Sequence, residues 1–189
     1  PKTGLAVRPG SILHFEDRVV LFGIAHVLAP RLDKLLPENV FHFRSRPLKE
    51  RKKGLFQIGQ PVLLPKEARR QIRTFTAWYE AWPEFRAAAV ARYEKEGYEY
   101  LVEADVASYF ENINHDLLKQ LLTSKLGAHL KVLNLLFMIL GQWSQSSLYG
   151  LQPGRGIPQG NEVSSWLGTL YLIDLDREMA KFRRKHQIK

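Results

Sequence analysis

A chain of 189 residues, 45% of them hydrophobic and 25% charged, can bury one or two cores, which excludes wholesale disorder. It has no cysteine, which excludes disulfides and thiolate metal sites and fits a reducing, cytoplasmic compartment; its longest apolar run, 132–140, is interrupted by Asn134 and too short to span a bilayer. Lys and Arg total 28 against 19 Asp and Glu, a formal charge of +9, and this balance suits a polyanionic partner whose phosphates it can neutralise with release of counterions.

The chain opens on Pro1 with no signal-peptide pattern behind it and reads as an excised piece of a longer protein. Residues 2–13, with Gly4, Pro9 and Gly10, predict a short hairpin or extended arm. Residues 14–36 carry helical periodicity through Val19, Val20, Phe22, Ile24, Val27, Leu28, Leu32 and Leu35, with Pro30 expected to kink or split the helix. From 37 to 65 the pattern is irregular, with a short candidate strand at 40–43 and a basic run, 44–53. Pro65 suits the first turn of a helix over 66–96, interrupted by Pro83 and stopped by Gly97.

Residues 98–106, rich in Tyr and Val, predict a strand with Tyr100, Val102 and Ala104 on one face and Leu101, Glu103 and Asp105 on the other. Asn114 can cap a helix to Lys125 that Gly127 stops. Residues 128–144 predict an amphipathic helix, 147–160 a loop with four glycines and two prolines, and Asn161 the cap of a last helix to about Arg184. One strand among helices describes an α+β domain with an unfinished sheet, preceded by a helical subdomain.

Asp105, at the end of the predicted strand, is a natural Mg²⁺ ligand, because hard cations take carboxylates together with substrate phosphates; a lone aspartate is more often a turn cap. Tyr109 and Phe110 follow. A ring beside a bound nucleotide can exclude a 2′-hydroxyl by clash, and a ring can equally be core. In Gly156-Ile157-Pro158-Gln159-Gly160, the glycines admit close backbone approach, and the Gln159 amide can read a sugar or base edge; the same pattern fits an ordinary loop before a helix cap. Lys2 and Arg8 on the predicted arm could clamp a triphosphate, or simply be a solvated terminus. Arg44, Arg46, Lys49, Arg51, Lys52 and Lys53 could track a nucleic-acid backbone, although charge runs are usually solvated faces. The six histidines show no metal-ligand spacing.

Taken in order, Pro1-Lys2 with Arg8-Pro9, Asp17-Arg18-Val19-Val20, the run Phe41 to Pro47, Asp105 to Phe110, Gly156 to Ser165, Leu170-Tyr171-Leu172 and Leu175-Asp176 resemble a bacterial reverse transcriptase. The similar group includes group II intron, retron, diversity-generating and phage-defence enzymes. The resemblance covers nearly the whole chain and implies an α+β right-hand polymerase fold, with helical fingers over 1–97 and a partial palm over 98–189. It implies Asp105 as the first catalytic aspartate and a metal ligand, with the Val106 carbonyl beside it. It implies Tyr109 as the steric gate favouring deoxynucleotides, and Gln159 and Gly160 as contacts to the incoming nucleotide and its template partner. Lys2 and Arg8 would grip the triphosphate, and Arg44 and Arg46 would lie near template.

The implied reaction is RNA-directed DNA polymerisation. Its cofactor is Mg²⁺, with Mn²⁺ as a substitute, and its partners are an RNA template, a DNA or RNA primer and dNTP. The family also needs a later Tyr-x-Asp-Asp hairpin and a thumb. This sequence contains no Asp-Asp pair, so the expectation is a fragment, truncated before that hairpin, that does not polymerise alone. The rival expectation is a non-catalytic RNA-binding module, such as a maturase-like splicing helper or a degenerate polymerase relative. An unfinished sheet edge would also favour self-association.

Overall fold

Apolar residues recurring three and four apart write most of the described residues into helices. The computed structural model describes residues 13–45, 74–97, 100, 102–127, 131–145 and 153–185. The chain divides into two compact units: Pro1–Ile24 with Leu101–Asp174, and Ala25–Tyr100 with Leu175–Lys189.

Helix α1, Phe15–Leu32, opens with Glu16 and Asp17 and closes with Arg31, charges that complement the helix dipole. Its buried stripe is Leu21, Ile24, Ala25, Leu28 and Leu32. Val19 and Val27, which the periodicity assigns to the core, are each 54% exposed; alanines at 25 and 29 take the inward positions instead. Pro30 lies in the last turns, and a 3₁₀ turn, Asp33–Leu35, follows.

The second unit is organised around Arg44. Its Nε donates to both carboxylate oxygens of Asp33 (3.2 and 3.3 Å), and its Nη2 donates to Asp33 Oδ2 at 3.1 Å. Its Nη1 reaches the carbonyls of Pro37 and Val40, while the Ser45 amide donates to Asp33 Oδ1 at 2.6 Å. Residues 37–44 therefore wrap one guanidinium. The strand expected at 40–43 is absent: Phe43 sits in the left-handed region, φ 53°, through which a strand cannot pass. One isolated antiparallel bridge, Ser45 with Phe75, follows.

That bridge also corrects the next expectation. Thr74–Ala77 are not helical, because Phe75 pairs with Ser45 and the Thr76 amide donates to the Arg44 carbonyl. Helix α2, Trp78–Glu96, starts later than predicted, with the Ala77 amide donating to Glu80 Oε2, and Gly97 ends it at φ 69°. Residues 66–73 lie outside the described residues.

In the first unit, residues 102–106 pair with nothing among the described residues, and Val102 is 88% exposed. Ser108, in the left-handed region, turns the chain into the single-turn helix α3, Tyr109–Asn112. Helix α4, His115–Leu126, is capped by Asn114, whose Oδ1 accepts from the Leu117 amide; Gly127 closes it at φ 91°. Helix α5, Lys131–Gln145, packs on α4 and buries Leu133, Leu136, Ile139, Leu140 and Ser144.

The last predicted helix is two. Helix α6, Glu162–Tyr171, begins at the expected Asn161 cap and hides Val163, Trp166, Leu167, Gly168 and Leu170, so it runs through the core of its unit. Leu172, with ψ near 1°, breaks the ladder, and α7, Ile173–Lys185, follows. In the second unit, Arg177 of α7 donates to the Leu35 carbonyl at 3.1 Å.

The expectation of an α+β fold with a partial polymerase palm is thus overturned: the described residues are mostly helical, and the only β pairing among them is two isolated bridges. The physical reason lies in what a strand requires. Alternation and β-prone side chains supply a face, but ladder hydrogen bonds need a partner strand, and none lies beside 102–106 among the described residues. Self-association through a sheet edge has no edge to rest on among those residues. No helix among them is long and apolar enough to cross a membrane.

Two predictions follow from the second unit. Asp33→Ala strands the Arg44 guanidinium and the Ser45 amide; the loss should be about 1–3 kcal/mol, read as a lower urea midpoint at unchanged m. Burial raises the Asp176 carboxyl above the ordinary aspartate value of 3.8. A raised folded pKa favours the fold below the unfolded value, and that advantage is lost as pH rises through the folded value. Asp176→Asn should therefore raise Tm at pH 7 and lose that gain in melts below pH 3.8.

Candidate functional site where residues 105–115 meet 154–161

The two stretches of interest lie about fifty residues apart in sequence, and the backbone stitches them together. The Ile157 amide donates to the Phe110 carbonyl (2.9 Å), the Gly156 amide to Ile113 (2.8 Å), and the His115 amide to Gly154 (2.9 Å). Asn114 and Arg155 form the antiparallel bridge between these bonds. Glycine is required here: Gly154, Gly156 and Gly160 hold φ of 77°, 85° and 96°, where an L side chain is strained.

His115 completes the joint. Its Nε2–H donates to the Gly156 carbonyl at 2.6 Å, so the imidazole and the backbone beneath it are satisfied together in a buried place. Ile113 and Ile157, both fully buried, keep water from the backbone bonds. On the far side, the Gly154 amide leans on Ser144 Oγ of α5, and Asn161 both caps α6 and donates to the Pro158 carbonyl.

Helix α3 presents its side chains against this frame. The Asn112 amide and side chain both donate to the Ser108 carbonyl, which holds the left-handed turn. Tyr109 donates its hydroxyl to the Gly168 carbonyl at 2.7 Å, and its ring lies close enough to α6 that a Cβ at 168 would meet Cε1 at 3.1 Å. Phe110 packs edge-on to Tyr109, with centroids 5.6 Å apart. Glu111 faces the loop and accepts from Gln159 Nε2 at 2.6 Å. Its second oxygen, Oε2, is closed off from solvent with no hydrogen-bond partner among the described residues.

The predicted site residues divide accordingly. Tyr109, on α3, binds Gly168 of α6, and Gln159 binds Glu111 of α3. Asp105 and Val106 stand just before α3 on an exposed segment, and the Asp105 carboxylate makes no hydrogen bond or ion pair among the described residues. Gly160 is exposed at the loop's end. Arg44 belongs to the other unit, where Asp33 and two carbonyls hold it. Lys2, Arg8, Arg46, Lys49, Arg51, Lys52 and Lys53 lie outside the described residues.

No group of three or more His, Cys, Asp or Glu is arranged to hold a metal among the described residues. A cation at Asp105 would therefore share one carboxylate with substrate oxygens, a coordination Mg²⁺ accepts. Three contributors escaped the sequence reading: Glu111, His115 and Gly168. Only Gly168 carried a signal, a glycine inside a helical pattern, which marks close approach by another group.

No family model, curated protein or solved structure matches this chain.

The contact between Tyr109 and Gly168 can be tested by mutation. Gly168→Val should destabilise by about 1–3 kcal/mol through overpacking. Combined with Tyr109→Ala, it should cost less than the two single losses summed, as measured by a denaturation double-mutant cycle.

Proposed function

We propose that this chain contributes the nucleotide-contacting part of a cytoplasmic RNA-directed DNA polymerase. The reading rests on side chains and their anchoring, not on a polymerase palm. The observation that carries it is the junction: the segment holding Tyr109 and the loop holding Gln159 are hydrogen-bonded side by side, and Asp105 stands free and exposed just ahead of them.

Each group has the physical property its role needs. A steric gate must be rigid, and the Tyr109 ring is pinned by its hydroxyl bond to Gly168 and by its close approach to α6. An amide that reads a nucleotide must be oriented; Glu111 takes one Nε2 proton of Gln159, which leaves the amide oxygen as an acceptor for substrate. The Asp105 carboxylate and Val106 carbonyl are the groups that would hold Mg²⁺, or Mn²⁺ in its place. When bound, the metal would supply Lewis-acid stabilisation to the attacking and leaving oxygens. The reaction is in-line attack of a primer 3′-hydroxyl on the α-phosphate of a dNTP, forming the new phosphodiester and releasing pyrophosphate.

A second reading, a non-catalytic RNA-binding module, is supported by the basic balance of the chain, a formal charge of +9 that suits phosphates without any metal site. One experiment separates the two. The chain alone should incorporate no dNMP on an RNA template with Mg²⁺ or Mn²⁺. Joined to a Tyr-x-Asp-Asp segment encoded in the same gene, it should incorporate dNMP. Asp105→Asn should then lower the rate by roughly 100-fold or more, and Tyr109→Ala should admit ribonucleotides. RNA affinity in a gene with no such segment establishes the binding module instead, and incorporation that survives Asp105→Asn refutes the proposed site.

A further inference from the structure

Helix α2, in the second unit, carries aromatic rings on its water-facing side. Trp78 is 66% exposed and Trp82 46%, with Phe85 and Tyr93 also exposed. At 100° per residue these four rings fall within an arc of about 80°, spread along about 22 Å of helix. Trp82 and Phe85 stack with centroids 5.4 Å apart, and Phe41 meets Phe85 edge-on at 5.8 Å. Among the described residues of α2 only Ala81 is fully buried, and Phe41 covers part of Phe85.

Two arginines of α2 flank the same stripe. By the helical angle, Arg92 borders it on one side and Arg86 on the other; Glu80, Glu84, Glu94 and Lys95 lie on the opposite half, and position 96, a glutamate, shares the angle of Trp78. Neither arginine is held in an ion pair among the described residues. Rings interleaved with guanidinium groups, on a chain of charge +9, match the chemistry of unpaired bases and their phosphates. A duplex keeps its base faces stacked inward and offers such a stripe nothing to cover.

We propose that this face of α2 binds a single strand of nucleic acid, its bases stacking on Trp78, Trp82 and Phe85 and its phosphates meeting Arg86 and Arg92. The inference goes beyond nucleotidyl transfer and needs neither nucleotide nor metal, so it stands or falls apart from the site at Asp105.

The test is filter binding of the whole chain, without nucleotide or divalent metal, to uridine RNA and thymidine DNA strands of about 20 nucleotides and to a duplex of equal length. Trp78→Leu with Trp82→Leu keeps apolar area and removes the aromatic faces; single-strand affinity should fall by about 10-fold to 100-fold while duplex affinity stays. Trp78→Phe with Trp82→Phe, the control for folding, should stay within about threefold of the parent. Arg86→Gln with Arg92→Gln should lower the slope of log affinity against log salt by about 1.4. Parental affinity in the leucine variant overturns the proposal, as does an equal loss for single strand and duplex. A change from dimer to monomer on sedimentation with unaltered strand affinity also overturns it, and assigns the face to a protein partner.

Discussion

Three backbone hydrogen bonds and one imidazole hold residues 154–157 against residues 110–115, and the register they set passes on to the rest of the first unit. With Gly156 opposite Ile113, Gln159 comes within reach of Glu111. Two residues later Asn161 caps α6, and the position of α6 brings Gly168 under the Tyr109 ring. Slipping the pairing by one residue would break all of these contacts together. Each backbone bond is worth about 1 kcal/mol net, so it is the shared register, more than any single bond, that makes the arrangement cooperative.

The second unit relies on a different device. One arginine, with its five N–H donors, replaces a sheet: Asp33 neutralises it while carbonyls of the 37–44 turn surround it. Phe43 accepts the left-handed backbone conformation inside that turn. A bulky residue there is strained, and the ordered guanidinium network is what offsets the strain. Both units thus spend polar side chains on irregular backbone where a regular ladder is absent.

What could be read from the sequence was local. Asn114, Gly127 and Asn161 announced helix ends because a cap is satisfied within three or four residues of itself. The strand at 98–106 was misread for the converse reason, since its pairing depends on another segment that the local pattern does not mention. The face of α1 was read too broadly because valine and alanine compete for the inward positions, and packing chose Ala25 and Ala29 over Val19 and Val27. The break at Leu172 has neither glycine nor proline to mark it. At the candidate site, type and order could single out Tyr109 and Gln159 but not what holds them. Their anchors, Glu111 and Gly168, and the clasp of His115 on Gly156, act across 48, 59 and 41 residues, beyond the reach of any periodicity.

The four tryptophans are distributed so that the two units carry different optical labels. Trp78 and Trp82 are water-facing in one unit, whereas Trp166 is sealed in the core of the other and Trp143 is half-buried there. Indole emission shifts to the blue as water is excluded, so the native spectrum superposes a red component from one unit and a blue component from the other. If the units open at different denaturant concentrations, the blue component alone will move when the unit built on α6 lets go. The protein therefore reports the order of its own unfolding without any attached dye.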